Sequence, residues 1–145
     1  MELDQAKFGL CKREVVDLLR EKDINPTTQR IEIAHLILQK PQHLSADEIL
    51  AELNREYEQV SQATVYNTLR VFVEKNVLRE LVFAPDRIYY DSNTRHHHHF
   101  IDVETGKIYD ISPDCVKCPE LSYVDDLKAE VFEVSLLMKG RIPKA

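Results

Sequence analysis

SQATVYNTLRVFVEK, residues 61–75, reads as one helix with two unlike faces. Ser61 is a cap residue, because a serine oxygen can accept a hydrogen bond from the free amides of a first helical turn. Val65, Leu69, Phe72 and Val73 then recur at helical spacing and make an apolar stripe. The opposite face carries Gln62, Ala63, Tyr66, Asn67 and Arg70. Amide, aromatic and guanidinium groups suit base edges, thymine methyls and phosphates. A solvated helix face is the alternative reading.

Working outward, the period changes to two after Asn76. Leu78–Phe83 and Arg87–Tyr90, joined by Ala84-Pro85-Asp86, predict a β-hairpin. Upstream, Phe8, Cys11, Val15, Leu18 and Leu19 mark an amphipathic helix ending near Asp23. Pro26 and Thr27 open a second helix with Ile31, Ala34, Ile37 and Leu38, stopped by Pro41. Ser45 and Glu48 form a capping box for a third, with Ile49, Leu50 and Leu53. Short helices followed by a hairpin are the order of a winged helix-turn-helix, with 61–75 as the recognition helix.

The second half predicts strand His96–Val103, turn Glu104-Thr105-Gly106-Lys107 and strand Ile108–Ile111. A helix near Leu121–Lys128 and a last strand Val131–Met138 follow, with Phe132, Val134, Leu136 and Met138 on one face. RHHHHF, residues 95–100, falls in the first of these strands. Successive strand side chains point to opposite faces, so His97 and His99 face one way and His96 and His98 the other. Asp110, on the partner strand, can join the first pair. Two imidazoles and a carboxylate suit Fe(II), Mn(II), Zn(II), Co(II) or Ni(II) rather than a thiolate site. A solvated polar run is the bland alternative. By themselves, His43 after Pro41 reads as a loop residue and helix-cap partner, and His35 as structural.

Net charge is −6, with 11 basic and 14 acidic residues in 1–85 and 8 and 11 in 86–145. Bulk attraction to nucleic acid is excluded in either half, so DNA binding needs a local face. Three cysteines (Cys11, Cys115, Cys118) are an odd count and too few for a disulfide framework, which points to a reducing cytoplasm. No apolar run reaches the roughly 20 residues of a membrane span, and the acidic N-terminus does not read as a signal peptide. Two histidines and a carboxylate also fit a non-haem iron enzyme or a metal buffer, though neither needs the Gln62–Arg70 face.

PTTQRIEIAHLI, HLSADEIL, SQATVYNTLRVF, YYDSN, HHHHF and TGKIYDI follow one another as in the ferric-uptake-regulator (Fur) superfamily, and the resemblance covers roughly residues 15–112. It implies an α+β fold: a winged helix-turn-helix DNA-binding domain over 1–90, then a small α/β dimerisation and metal-sensing domain over 91–145. It implies a homodimeric, metal-dependent repressor acting on an AT-rich palindromic duplex. Carried over residue by residue, the regulatory ligands are His43, Asp91, His97, His99 and Asp110, with Fe(II) or Mn(II) as the metal and Zn(II) as a substitute in vitro.

Asp110 stands where iron and zinc sensors usually have Glu, which resembles the peroxide-regulator (PerR) branch. There bound Fe(II) reacts with peroxide, a ligand histidine is oxidised and DNA is released. His43 and His97 are the oxidation candidates. The chain also departs from the pattern. Asp102 and Thr105 occupy the positions of a first CxxC pair and no second pair follows, so no four-thiolate zinc is expected. Cys115 and Cys118 supply two thiols only. The loss of the cysteine zinc site, the YYDSNTRHHHHF context and Cys118-Pro119 resemble the haem-responsive iron-response (Irr) branch. Asn25 replaces an arginine usual before the second helix. His96 and His98 hold part of a second metal site, but Lys117 and Val134 fall near its other positions.

Overall fold

The computed structural model describes residues 8–117 and 122–144 of the chain. It divides into two compact units, residues 1–94 and 95–145.

The first unit is built on four helices: α1 (Lys12–Glu21), α2 (Thr28–Ile37), α3 (Ala46–Leu53) and α4 (Gln62–Glu74). Each begins where the side-chain chemistry allows. Thr27, Ser45 and Ser61 accept from the amides of Arg30, Glu48 and Thr64, and Glu48 returns to the Ser45 amide. Asn76 ends α4 with φ +56°, a left-handed turn that asparagine tolerates. The Val77 amide then reaches back to the Phe72 carbonyl at 2.8 Å, which aims the chain into the wing. The wing is β2 (Arg79–Ala84) and β3 (Arg87–Asp91), antiparallel with an irregularity between Val82 and Ala84.

The apolar stripes converge on one core. Val15, Leu19, Ile33, Ile37, Ile49, Val65, Leu69 and Phe72 are fully buried, joined by Val77 and Leu78 from the root of the wing. Gln62, Ala63, Tyr66, Asn67 and Arg70 all remain exposed.

Two residues outside the predicted elements form a strand. His43–Leu44 is β1, paired antiparallel with β3 on the edge opposite β2. The cap role expected of His43 falls to its neighbour. Gln42 Nε2 donates to the carbonyls of Leu36 and Ile37 at 3.0 and 2.9 Å, closing the end of α2.

The second unit is a three-stranded sheet in the order β5-β4-β6, with β4 (His98–Asp102), β5 (Ile108–Ile111) and β6 (Leu137–Gly140). β4 and β5 are antiparallel, and β4 and β6 parallel. Gly106 turns the chain at φ +74°, and its amide donates to the Asp102 carbonyl at 2.7 Å. A short 3-10 turn, Pro113–Cys115, and α5 (Ser122–Asp126) lie in the return. Leu121 and Cys118, named in the sequence reading, lie outside the described residues.

The last strand is shorter than its alternating pattern predicts. Residues 129–136 have no regular secondary structure, and Phe132 is 90% exposed. The physical reason is what the backbone pairs with. The Leu136 amide donates to His98 Nδ1 at 3.0 Å, and Glu133 meets the His96 ring at 3.1 Å. Side chains tether this stretch, and its backbone meets β4 only at its end, where the His99 amide donates to the Leu136 carbonyl at 3.0 Å and the paired residues begin at Leu137. A period of two marks which residues can share a face; it does not supply a partner strand.

Replacing Phe72 with Ala in this core should cost about 3–5 kcal/mol. Ser61→Ala should cost about 1 kcal/mol, the loss of one cap. Urea unfolding of the first unit measures both, and a Phe72→Ala cost no larger than that of Ser61→Ala would contradict the core assignment.

Candidate metal centre and nucleic-acid face

In the first unit, β1 and β3 bring His43 and Asp91 opposite each other in register. His43 Nε2 lies 3.2 Å from Asp91 Oδ2, with the imidazole 10% and the carboxylate 0% exposed. The other oxygen, Oδ1, accepts from the Asn93 amide at 2.8 Å. A carboxylate this deep requires a charged or hydrogen-bonding partner, since an uncompensated buried charge is prohibitive. Ser92 fixes the geometry: its hydroxyl accepts from the Gln42 amide at 2.9 Å and donates to the Lys40 carbonyl at 3.0 Å. The Ser92 amide donates to the Gln42 carbonyl at 3.2 Å.

In the second unit the histidine run alternates as a strand requires. The His97 and His99 rings lie 4.4 Å apart and the His96 and His98 rings 5.1 Å apart. His99 pairs in register with Asp110. His97 Nε2 and His99 Nε2 approach the same Asp110 oxygen at 3.4 and 3.6 Å. Both rings are nearly buried, and the Asp110 carboxylate is 30% exposed. His97 Nδ1 faces the Arg95 carbonyl at 2.5 Å. A carbonyl only accepts, so Nδ1 carries a proton, and Nε2 is the ring nitrogen left to bind a metal.

These distances suit a metal. Ligand atoms held at about 2.1 Å from one ion, at angles between octahedral and tetrahedral, sit roughly 3.0–3.4 Å from each other. A ligand histidine commonly donates its second nitrogen to a carbonyl, as His97 does. One ligand atom from each of His97, His99 and Asp110 lies within 4.8 Å of the others. The donor set is nitrogen and oxygen, which matches Fe(II), Mn(II) or Zn(II).

His96 and His98 are engaged otherwise, with Glu133 and the Leu136 amide. His35 sits within α2. Cys11 is the exposed residue preceding α1, and Cys115 is exposed at the end of the 3-10 turn. Asn25, where an arginine was expected, accepts from Arg30 through its carbonyl at 3.1 Å.

The exposed face of α4 borders a hollow of about 470 Å³ lined by Tyr66, Asn67, Arg70, Glu80 and Tyr90. Arg70 Nη2 donates to Asn67 Oδ1 at 2.8 Å, so the guanidinium is held along the helix. Tyr90, at the end of the wing, was not singled out in the sequence. Burial, with Glu80 and Tyr66 beside it, pushes its phenol above the ordinary tyrosine range. It therefore stays a neutral donor. Only the alternation of the hairpin could have pointed to its inward face. Among the described residues no helix is long and apolar enough to cross a membrane.

The ferric uptake regulator family model matches residues 21–139. The peroxide-responsive repressor PerR of Staphylococcus aureus is 33% identical over 127 residues, 88% of this chain and 81% of that one. The Vibrio cholerae ferric uptake regulator has a similar structure, with TM-score 0.70 at 24% identity, covering 88% of this chain and 98% of the other. The Francisella tularensis regulator, solved with iron, gives TM-score 0.70 at 24% identity over 82% and 92%. At such identities the structural likeness speaks for the fold. A winged helix followed by a histidine-bearing α/β unit defines a metal-responsive DNA-binding regulator, not an enzyme. The chain belongs to the ferric uptake regulator family.

Ser92→Ala removes a buried hydroxyl that serves two backbone partners, so it should cost about 1–3 kcal/mol. Thermal unfolding checks the cost, and amide exchange at Gln42 and His43 should rise in the same variant. Unchanged exchange there would mean that Ser92 does not hold β1.

Proposed function

We propose that this protein is a PerR-like repressor that binds DNA when His43, Asp91, His97, His99 and Asp110 together hold one Fe(II) or Mn(II). The observation that carries the reading is the approach of two imidazole Nε2 atoms to a single Asp110 oxygen. The His43–Asp91 pair offers the same nitrogen-oxygen chemistry from the first unit. An ion that draws ligands from both units restricts their relative motion, and DNA affinity then depends on metal because each state is liganded differently.

The operator is a double-stranded, AT-rich palindrome read by a homodimer. Two recognition helices suit two half-sites. The exposed Val131 and Phe132 of the second unit suit a partner copy. Gln62, Ala63, Tyr66, Asn67 and Arg70 form the reading surface, Tyr66 on a thymine methyl and Arg70 on phosphate or base. Tyr66→Ala should cost on the order of 1–3 kcal/mol of affinity and relax specificity. Fluorescence anisotropy with matched and mismatched duplexes measures both, and unchanged values would remove α4 from recognition.

The signal is hydrogen peroxide. Fe(II), when bound, supplies one-electron chemistry toward peroxide that Mn(II) does not. His43 and His97 are the ring carbons at risk: one gains an oxygen atom from peroxide and water is the other product. Asp110 is one methylene shorter than Glu and leaves room beside His97 and His99. Brief peroxide treatment of the iron-loaded protein should add 16 Da, the mass of that one oxygen, to the peptide with His43 or His97, and release DNA. The manganese form should not respond, and Asp110→Glu should keep metal-dependent binding while blunting the response. Intact histidines in an iron-loaded protein that haem removes from DNA would favour an iron- or haem-responsive regulator instead.

A further inference from the structure

The hollow beside the exposed face of α4 carries more negative than positive charge. Arg70 is the one base on its lining, Glu74 and Glu80 are the acids, and all three are exposed. Local geometry fixes each of them there. Glu74 follows Arg70 by four positions, so both side chains lie along one face of α4. Glu80 pairs in register with Tyr90 across β2 and β3, and Tyr90 also lines the hollow. Strand alternation sends the wing's basic residues elsewhere. Arg79, next to Glu80, and Arg87, three before Tyr90, fall on the opposite face of the hairpin, and neither lines the hollow.

Arg70 does not neutralise these acids. Its Nη2 donates to Asn67 Oδ1 at 2.8 Å, and neither carboxylate has an ion pair among the described residues. A phosphate that approaches Arg70 therefore approaches two carboxylates as well, and like charges at such range repel appreciably where water is partly displaced. Base edges carry no net charge, so contacts from Tyr66 and Asn67 meet no such repulsion. The two modes of DNA binding are thereby separated. Sequence-independent binding draws nearly all its affinity from cations on phosphates, whereas a matched site adds base contacts.

We propose that Glu80, supported by Glu74, is a specificity-determining residue: it offsets the attraction of Arg70 for phosphates of any sequence, so that stable binding depends on bases read by Tyr66 and Asn67. This rests on the DNA-reading role of α4 proposed above. Glu80 is the sharper of the pair to test, because the wing carries it and its replacement leaves α4 unaltered.

The test uses the full-length chain loaded with Mn(II) and two duplexes of equal length and composition. One is enriched from a random-sequence pool by the parent protein, and the other is its scrambled counterpart. Fluorescence anisotropy at several salt concentrations gives both affinities. Glu80→Gln keeps the shape and loses the charge. It should tighten binding to the scrambled duplex about 3–10-fold at low salt, the effect of one unit charge near a phosphate. The enriched duplex should gain less, so that the ratio of the two affinities falls by about twofold or more. The salt dependence for scrambled DNA should steepen by about one counterion. Glu80→Asp retains the charge and should stay near the parent. Arg70→Ala in the Glu80→Gln background should abolish the gain, which ties it to that cation. Unchanged affinity of Glu80→Gln for scrambled DNA, or a gain that survives the loss of Arg70, would overturn the proposal. So would a loss confined to the enriched duplex, the mark of a carboxylate that accepts from a cytosine amino group. A parent that enriches no sequence from the pool would instead sink the DNA-reading role of α4, and the proposal with it.

Discussion

The second unit depends on the antiparallel register that sets His99 against Asp110. Strand geometry makes this an all-or-none matter. With a side-chain period of two, the correct register places two imidazoles and a carboxylate on one face. A slip by one places His96 and His98 there, and these are the rings engaged with Glu133 and the Leu136 amide. Four consecutive histidines therefore do two jobs: the odd-numbered pair faces Asp110, and the even-numbered pair ties down the stretch leading into β6.

Hydrogen bonds to backbone complete that division. The Arg95 carbonyl commits His97 Nδ1 as a donor, which leaves Nε2 as the ring nitrogen a metal can take. In the first unit the Asn93 amide plays the corresponding part for Asp91, filling Oδ1 and leaving Oδ2 to His43. In both units the ligand atom is defined by what its neighbour on the same side chain is already doing. Fixing the second atom of a side chain in this way orients the first, which is the physical content of preorganisation.

The four helices and the wing were legible because their signals are local. Ser45 with Glu48, Ser61, and the stripes of α1–α4 depend on residues three or four apart, and the caps fall where the sequence reading placed them. The hairpin was legible for the same reason, since one short turn joins its strands. β1 was not: His43–Leu44 becomes a strand only because β3, more than forty residues later, offers an edge. The last strand was over-read for the converse reason. Its alternation extends back to Phe132, while the pairing that would make it a strand starts at Leu137. The candidate ligands were legible as residue types, alternation and motif order. Ser92 and the Arg95 carbonyl were not, because they act through backbone groups that carry no residue signature.

Charge decides between two ways a metal could govern DNA binding. The chain carries −6, and one divalent ion raises it only to −4, so it stays acidic. At physiological ionic strength the Debye length is about 8 Å, which confines any benefit of the ion's charge to its own surroundings. On the exposed face of α4 the only basic side chain among the five candidate contacts is Arg70, already braced by Asn67. Counterion release by so few cations is small. Neutralisation therefore fails as the switch on magnitude alone. A metal-responsive regulator with so little positive charge on this face has more to gain from how the face is presented than from added charge.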